Sequence, residues 1–270
     1  MHKVASFRYQ TLQVCSQKNV LTVTLNRPDK KNAMSFLMMR ELILVAKRAA
    51  ADNALRAVIV EGSQNSFCSG IDLQDLTAPK QQAFAFWELI KPWQSLFQQV
   101  CLIWQSLPIP VIGVLEGHCL GAGLQLALGF DVRISHPDCK FAILEGKWGL
   151  VADMGISKSA AGLVRPDVLK ELAMTARIID GAQALNFGLI THCHNEPMTK
   201  AMALAEEISH RSPDAVLAAK RVVNQLFAPN ALSLYQEKFW QLKLMLGQNQ
   251  KLALKKAKDS AVTFKRRQFR

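Results

Sequence analysis

Between Pro110 and Leu150 a β-branched run, Val111, Ile112 and Val114, leads into Gly117, Gly121 and Gly123 and then into an apolar segment of helical character, Leu124 to Leu128. A strand that ends in a glycine-rich turn and opens a helix leaves main-chain N–H groups unpaired at the positive end of the helix dipole. Such a turn can hold an anion, or the oxygen on which negative charge develops during a reaction. Glycines at such turns also serve close packing, so spacing alone leaves both uses open. A nicotinamide cofactor is not expected, because Leu126 stands where the third glycine of G-x-G-x-x-G would fall. A second junction of the same kind follows Ala57-Val58-Ile59-Val60, where the loop Glu61 to Leu73 exposes further backbone amides.

Two other groups of residues invite chemistry. His192-Cys193-His194 would place two imidazoles on one face of a strand, but no third ligand stands at a suitable spacing, so no metal is expected. The six cysteines, Cys15, Cys68, Cys101, Cys119, Cys139 and Cys193, lack C-x-x-C spacing and read as reduced thiols that serve as small core residues.

The elements that must carry these residues alternate. Phe7 to Cys15 and Val20 to Asn26 read as strands joined by a polar turn at Ser16 to Asn19, and a basic, proline-broken loop follows from Asn26 to Ser35. Ser35 is placed to cap a helix that runs to about Ala51. Residues 78–105 read as one helical region whose Phe84, Phe86, Trp87, Trp93, Phe97 and Trp104 form a stripe of the kind that usually faces a core, and Pro108 and Pro110 end it. Beyond Val132 to Ser135 come helices over Val164 to Ala176 and Gly181 to Phe187, a return to strand at Gly188 to Ile190, and from Lys200 an almost wholly helical module broken at Pro213 and Pro229. Strands alternating with helices define an α/β chain, divided here into a core of residues 1–199 and a C-terminal helical region of residues 200–270.

A chain of 270 residues, half of them hydrophobic, buries a large core. It carries no long apolar run and no signal-like start, so a soluble, cytoplasmic protein with no membrane partner is expected. The net charge is +12, and residues 251–270, with eight Lys or Arg and one Asp, hold +7 of it. Phe264 to Phe269 interleaves aromatics with cations as single-strand binders do. No nucleic-acid motif accompanies it, so nucleic acid is not the expected partner.

Four blocks resemble the crotonase (enoyl-CoA hydratase/isomerase) superfamily: Leu25-Asn26-Arg27-Pro28 with Asn32-Ala33-Met34; Phe67 to Leu73; Gly117 to Ala127 with Asp131 to Ile134; and Thr175-Ala176-Arg177 with Ala184 and Gly188 to Ile190. The resemblance implies a spiral of ββα units followed by a C-terminal helical trimerisation region, in a homotrimer or a dimer of trimers. It also implies an acyl-CoA thioester as substrate, with no cofactor beyond the coenzyme A that the substrate carries. By the same resemblance, the N–H groups of Ile71 and Ala122 hold the thioester carbonyl, while Arg27, Lys30, Cys68, Gly70, Asp72, Leu73, Gly121 and Lys265 contact the ligand.

The hydratases of the superfamily use two glutamates. Gln125 stands at the first position and cannot exchange a proton near neutral pH; Glu145 stands at the second. The segment Gly149 to Gly155 looks like that of the dienoyl-CoA isomerases, which carry a second catalytic carboxylate at the position of Asp153 but an aspartate at that of Gln125. The reading that follows is double-bond isomerisation of a dienoyl-CoA by Glu145 and Asp153. Its alternatives are a hydratase using Glu145 alone, a thioester hydrolase, and an RNA-binding or non-catalytic CoA-thioester-binding protein. Trp87, Trp93 and Trp148 are candidate pocket walls.

Overall fold

The structure, a computed structural model, describes residues 8–227, 233–256 and 258–269. In chain order come β1 (Leu12–Gln17), β2 (Val20–Leu25), α1 (Phe36–Ala51), β3 (Ala57–Gly62), α2 (Leu73–Thr77), α3 (Pro79–Ile90), α4 (Leu96–Ser106), β4 (Val111–Leu115), β5 (His118–Leu120) and α5 (Ala122–Ala127). They are followed by β6 (Val132–Ser135), β7 (Lys140–Ala142), α6 (Ile156–Ser159), α7 (Pro166–Thr175), α8 (Gly181–Asn186), β8 (His192–Cys193), α9 (Pro197–Ser209), α10 (Pro213–Asn224), α11 (Ser233–Leu246) and α12 (Gln248–Lys256).

One sheet has the order β1-β2-β3-β4-β6-β8, and β5 pairs with β7 in a second, two-stranded sheet. Only β1 runs antiparallel. Its hairpin closes over Lys18 and Asn19, both at positive φ, as a two-residue turn matching the twist of its strands requires. The strand therefore continues through Ser16 and Gln17, where sequence polarity suggested a turn, and it begins at Leu12; Phe7 lies outside the described residues.

Parallel strands covered on both sides read as continuous apolar runs, and Ala57 to Val60 are wholly buried. Alternate residues divide between two layers. Val58, Val60, Val111 and Leu115 face the main core with α1 and α4, while Ala57, Ile59, Ile112 and Val114 meet Ala201 and Ala205 of α9. The expected boundary at residues 199/200 thus falls inside a helix that packs on the sheet.

Three sequence expectations are corrected. The helical region over 78–105 is two helices, because Pro92 cannot continue α3 and Ser95 starts α4 with a reciprocal capping box to Gln98. The aromatic stripe divides with it. Phe97 and Trp104 enter the core, where Trp104 meets Phe130 edge-on, whereas Phe86, Trp87 and Trp93 are 65%, 53% and 62% exposed. Ser95→Ala should cost about 1 kcal/mol, read as a lower urea midpoint at unchanged slope.

Second, Gly188 to Ile190 form a turn with Gly188 at φ 79°, and the strand begins two residues later as β8. Third, the chain beyond α12 is not helical; among the described residues it is a tail sewn to the core. Buried Asp214 accepts from the Gln268 and Phe269 N–H groups at 2.8 and 3.2 Å and from Asn249 Nδ2 at 2.7 Å. The buried Arg267 guanidinium donates to Ala50 O, Asn53 Oδ1 and Pro108 O, beside the N-terminal ends of β3 and β4. The expected break at Pro213 is present, since α9 ends at Ser209 and Pro213 opens α10; Pro229 lies outside the described residues.

Candidate active site

Successive parallel strands release their loops at the same edge of the sheet. The loop after β2 is laced to the loop after β3: Ser69 N–H donates to Lys31 O at 3.1 Å, Met34 N–H to Gly70 O at 2.8 Å, and Asp72 N–H to Met34 O at 3.0 Å. Arg27 reinforces the seam, with Nη2 on Asp72 Oδ2 and Nη1 on Ala33 O, both at 2.6 Å. On its other side the second loop is laced to β5, through Cys68 N–H to His118 O at 2.7 Å and Leu120 N–H to Cys68 O at 3.0 Å.

The pairing alternates, and that determines which amides stay free. Met34 exchanges bonds with Gly70 and Asp72, so the intervening Ile71 N–H points away from it. Gly121 donates to Ala142 O at 2.9 Å, leaving the Ala122 N–H as the first of α5. Neither amide meets a backbone acceptor among the described residues. Gly70 (φ 113°) and Gly121 (φ 49°) make these turns in conformations that suit glycine. A Cβ on Gly121 would lie 3.9 Å from Gly70 Cα and 3.5 Å from Glu145 Oε1, so both amide-bearing turns and a carboxylate crowd one spot.

Glu145 opens a 3-10 helix, Glu145–Trp148. Its Oε1 accepts from Gln125 Nε2 at 2.7 Å, while its Oε2 is buried with no partner among the described residues. Gln125, 1% exposed, accepts the Met154 N–H on its Oε1 at 2.9 Å. Burial raises the Glu145 carboxyl above its usual range; its own backbone amide and Gln125 oppose this, and nearby Asp153 adds to it. Asp153 is exposed, yet it too is raised, because the groups crowded around it partly desolvate it. It opens onto a cleft of about 470 Å³ between the α3–α4 turn and its own loop, lined also by Trp93, Gln94 and Gln98.

The structure thus brings together Ile71, Ala122, Gly70, Gly121, Gln125, Glu145 and Asp153. Leu73 is exposed at the start of α2, and Lys30 is exposed on the 3-10 turn Pro28–Lys30. Arg27 and Asp72, expected as ligand contacts, are occupied in framing Ile71; Asp72 also caps α2 through Gln74 N–H at 3.0 Å. Cys68 needs correction, since its side chain is fully buried against Gly123 and cannot touch a ligand; burial pushes its thiol up to about 12. Lys265 needs correction as well. It bonds Gln248 Oε1 at 2.6 Å two residues from Arg267, at the end of the sheet opposite these loops, away from its own chain's site.

Sequence reasoning gave Asn32 no role. It is wholly buried at φ 54°, accepts the Arg27 N–H and donates to Ser63 O and Ser66 O, so it pins the first two loops together. An asparagine in a Pro-broken loop was the available signal, since Asn tolerates the left-handed conformation. Among the described residues no group of three His, Cys, Asp or Glu could hold a metal, and His192 is exposed. None of the helices described is long and apolar enough to cross a membrane.

The chain and its α/β fold have counterparts among known proteins. A family model described as enoyl-CoA hydratase/isomerase matches residues 16–259. The mouse mitochondrial Delta(3,5)-Delta(2,4)-dienoyl-CoA isomerase is 34% identical over 232 residues, 81% of this chain and 70% of that protein. The human mitochondrial protein of the same name is 35% identical over 234 residues, 82% and 70% of the two chains. The crystal structure of an enoyl-CoA hydratase from Bacillus anthracis shares the fold at a TM-score of 0.86, with 24% identity over 96% of this chain and all of that one. The chain belongs to the enoyl-CoA hydratase/isomerase family.

Proposed function

We propose that the protein moves the two double bonds of a 3,5-dienoyl-CoA into conjugation with the thioester, giving the 2,4-dienoyl-CoA. The observation that carries this reading is the presence of two carboxyls, Glu145 and Asp153, beside the Ile71 and Ala122 amides, with the non-ionisable Gln125 at the third acidic position. The identity to proteins named as dienoyl-CoA isomerases supports it.

In this mechanism the two amides hold the thioester oxygen. Glu145, next to Gly121, removes a proton from C2, and the electron pair spreads through the diene as an extended enolate whose oxygen charge the amides stabilise. Each such donor contributes about 3 kcal/mol to the barrier reduction. Asp153, further along on the open cleft, delivers a proton to C6. One proton leaves and one returns, so the reaction needs no cofactor. Exposed Lys30 and Lys31 suit the phosphates of coenzyme A, and the C-terminal helices suit a trimer, which light scattering would test.

The test is incubation with a 3,5-dienoyl-CoA, in which product appears as absorbance moving to longer wavelength. Loss of conjugated absorbance from a 2-enoyl-CoA would instead mark a hydratase, and free thiol a hydrolase.

The same roles predict the pH profile. Glu145 must be ionised, so the rate falls on acidification through its pKa; Asp153 must be protonated, so the rate falls as pH rises through its own. Desolvation raises both carboxyls, so both limbs should be displaced upward from the ordinary carboxylate values. Asp153→Asn should abolish the alkaline limb and lower kcat at least about a hundredfold.

A further inference from the structure

We propose that Gln125 is the positioning residue of the reaction: it dictates that Glu145 Oε2 carries the transferred proton, and it ties Glu145 to the loop of Asp153. The argument rests on which atoms can donate. The Met154 N–H is a backbone donor, so the group 2.9 Å from it must be the Gln125 oxygen. That assigns the NH2 to the other side, where it points at Glu145 Oε1, 2.7 Å away. An oxygen that receives an N–H at this distance cannot itself hold a proton towards the donor. Oε1 is therefore pinned as an acceptor in both states of the acid.

The proton then has one place to go, Oε2, which is buried and has no hydrogen-bond partner among the described residues. An unpartnered buried carboxylate oxygen is costly in a resting protein, and its persistence fits an atom kept ready for a reacting proton. The second bond explains why the residue at 125 must accept as well as donate. Met154 adjoins Asp153, so one buried amide joins α5 at once to the glutamate and to the segment presenting the aspartate. A carboxylate at 125 could accept from Met154, but it would set a second negative charge against Glu145, and the pair would share a proton.

This inference rests on Glu145 and Asp153 working as proposed, but it is tested without substrate. The groups that face Glu145 are Asp153 from its loop and the Cys101 thiol from α4; each interacts with it electrostatically, and burial holds that thiol protonated. In the full chain, the Glu145 carboxyl band in infrared difference spectra against Glu145→Gln reports its titration. Gln125→Leu removes the donor and should move that midpoint upward by about one pH unit. Gln125→Glu keeps the size and the Met154 contact, and should move it upward at least as far. A merely structural role predicts no such movement in Gln125→Leu, which removes the donor without adding a charge, whereas the movement in Gln125→Glu reports only that the two side chains touch. If neither variant folds, the wild-type chain still decides: the Gln125 side-chain amide resonance should shift with the Glu145 titration, and this shift should vanish in Glu145→Gln. An unmoved midpoint, or an amide indifferent to that titration, overturns the inference even where a dienoyl-CoA is turned over. A moved midpoint in a protein that leaves every dienoyl-CoA unchanged upholds the Gln125 bond and the choice of Oε2 for the Glu145 proton, but removes the reaction assigned above and with it the positioning role in that reaction.

Discussion

Glu145→Gln should lower the turnover of a 3,5-dienoyl-CoA by about 10²- to 10⁴-fold, the usual loss with a general base, and leave KM nearly unchanged. The replacement has the same shape, so Gly121 keeps its neighbour and the Ile71 and Ala122 amides keep their places. What disappears is the capacity to take a proton. The new amide can accept from Gln125 through its oxygen, which leaves its nitrogen where Oε2 now stands without a partner. The fold should survive with a similar urea midpoint, because one buried unpaired polar atom replaces another. Steady-state kinetics beside urea unfolding check both halves. Wild-type turnover in this variant would remove Glu145 from the mechanism, and lost turnover with a collapsed midpoint would show a structural role instead.

The largest stability effect should come from a different place. Lys220 of α10 sends its Nζ to Asp131 Oδ2 at 2.6 Å, to Ile109 O at 3.0 Å and to Trp104 O at 3.1 Å, with side-chain exposures of 6% and 22% for the pair. Asp131 Oδ2 also accepts the Val111 N–H at 2.8 Å, so this ion pair fastens α10 to the strand that leads into the site. Lys220→Met should cost about 3 kcal/mol, near the lower end for breaking a buried pair because Asp131 keeps some solvent. Lys220→Met with Asp131→Asn should recover most of that, since no lone charge remains.

The sign of the pH dependence follows from the same residues. Burial raises the Asp131 carboxyl and Lys220 opposes the rise, so removing Lys220 raises it further. An acid whose pKa is higher folded than unfolded binds its proton more readily in the native state. The deficit of Lys220→Met should therefore grow as pH rises through the folded pKa of Asp131 and shrink below it. Urea melts at several pH values would show this, and a deficit independent of pH would mean that lost packing outweighs the charge.

The two mutations act on separate layers of the molecule, and the site draws on both. The Ile71 amide is free only because the loops after β2 and β3 pair with each other, and that pairing depends on Asn32, Arg27 and Asp72. The Ala122 amide is free because β5 ends where Gly121, at positive φ, can turn the chain into α5. Catalysis here would thus be a property of backbone held in place by side chains that never meet the substrate.

Much of this was determined locally and was legible in the sequence. The apolar run Ala57 to Val60, the Ser35 cap and the strand, turn and helix around Gly121 follow from steric and hydrogen-bonding preferences acting within a few residues, and these hold in any fold. Two of the four motif blocks marked Ile71, Ala122 and Gln125 in advance, and the likeness of the segments beyond them to the hydratases and dienoyl-CoA isomerases marked Glu145 and Asp153. Only the tertiary structure decided how these residues are used. Whether the aromatics of 84–104 face core or solvent depended on where Pro92 and Ser95 split the helix relative to the sheet. That Arg27 and Asp72 brace a loop, that Lys265 lies at the far end of the sheet, and that Gln125 reaches both Glu145 and Met154 are contacts between residues distant in sequence. Residue type and spacing cannot contain such contacts, because what a polar side chain bonds in the interior depends on what folding brings within about 3 Å of it.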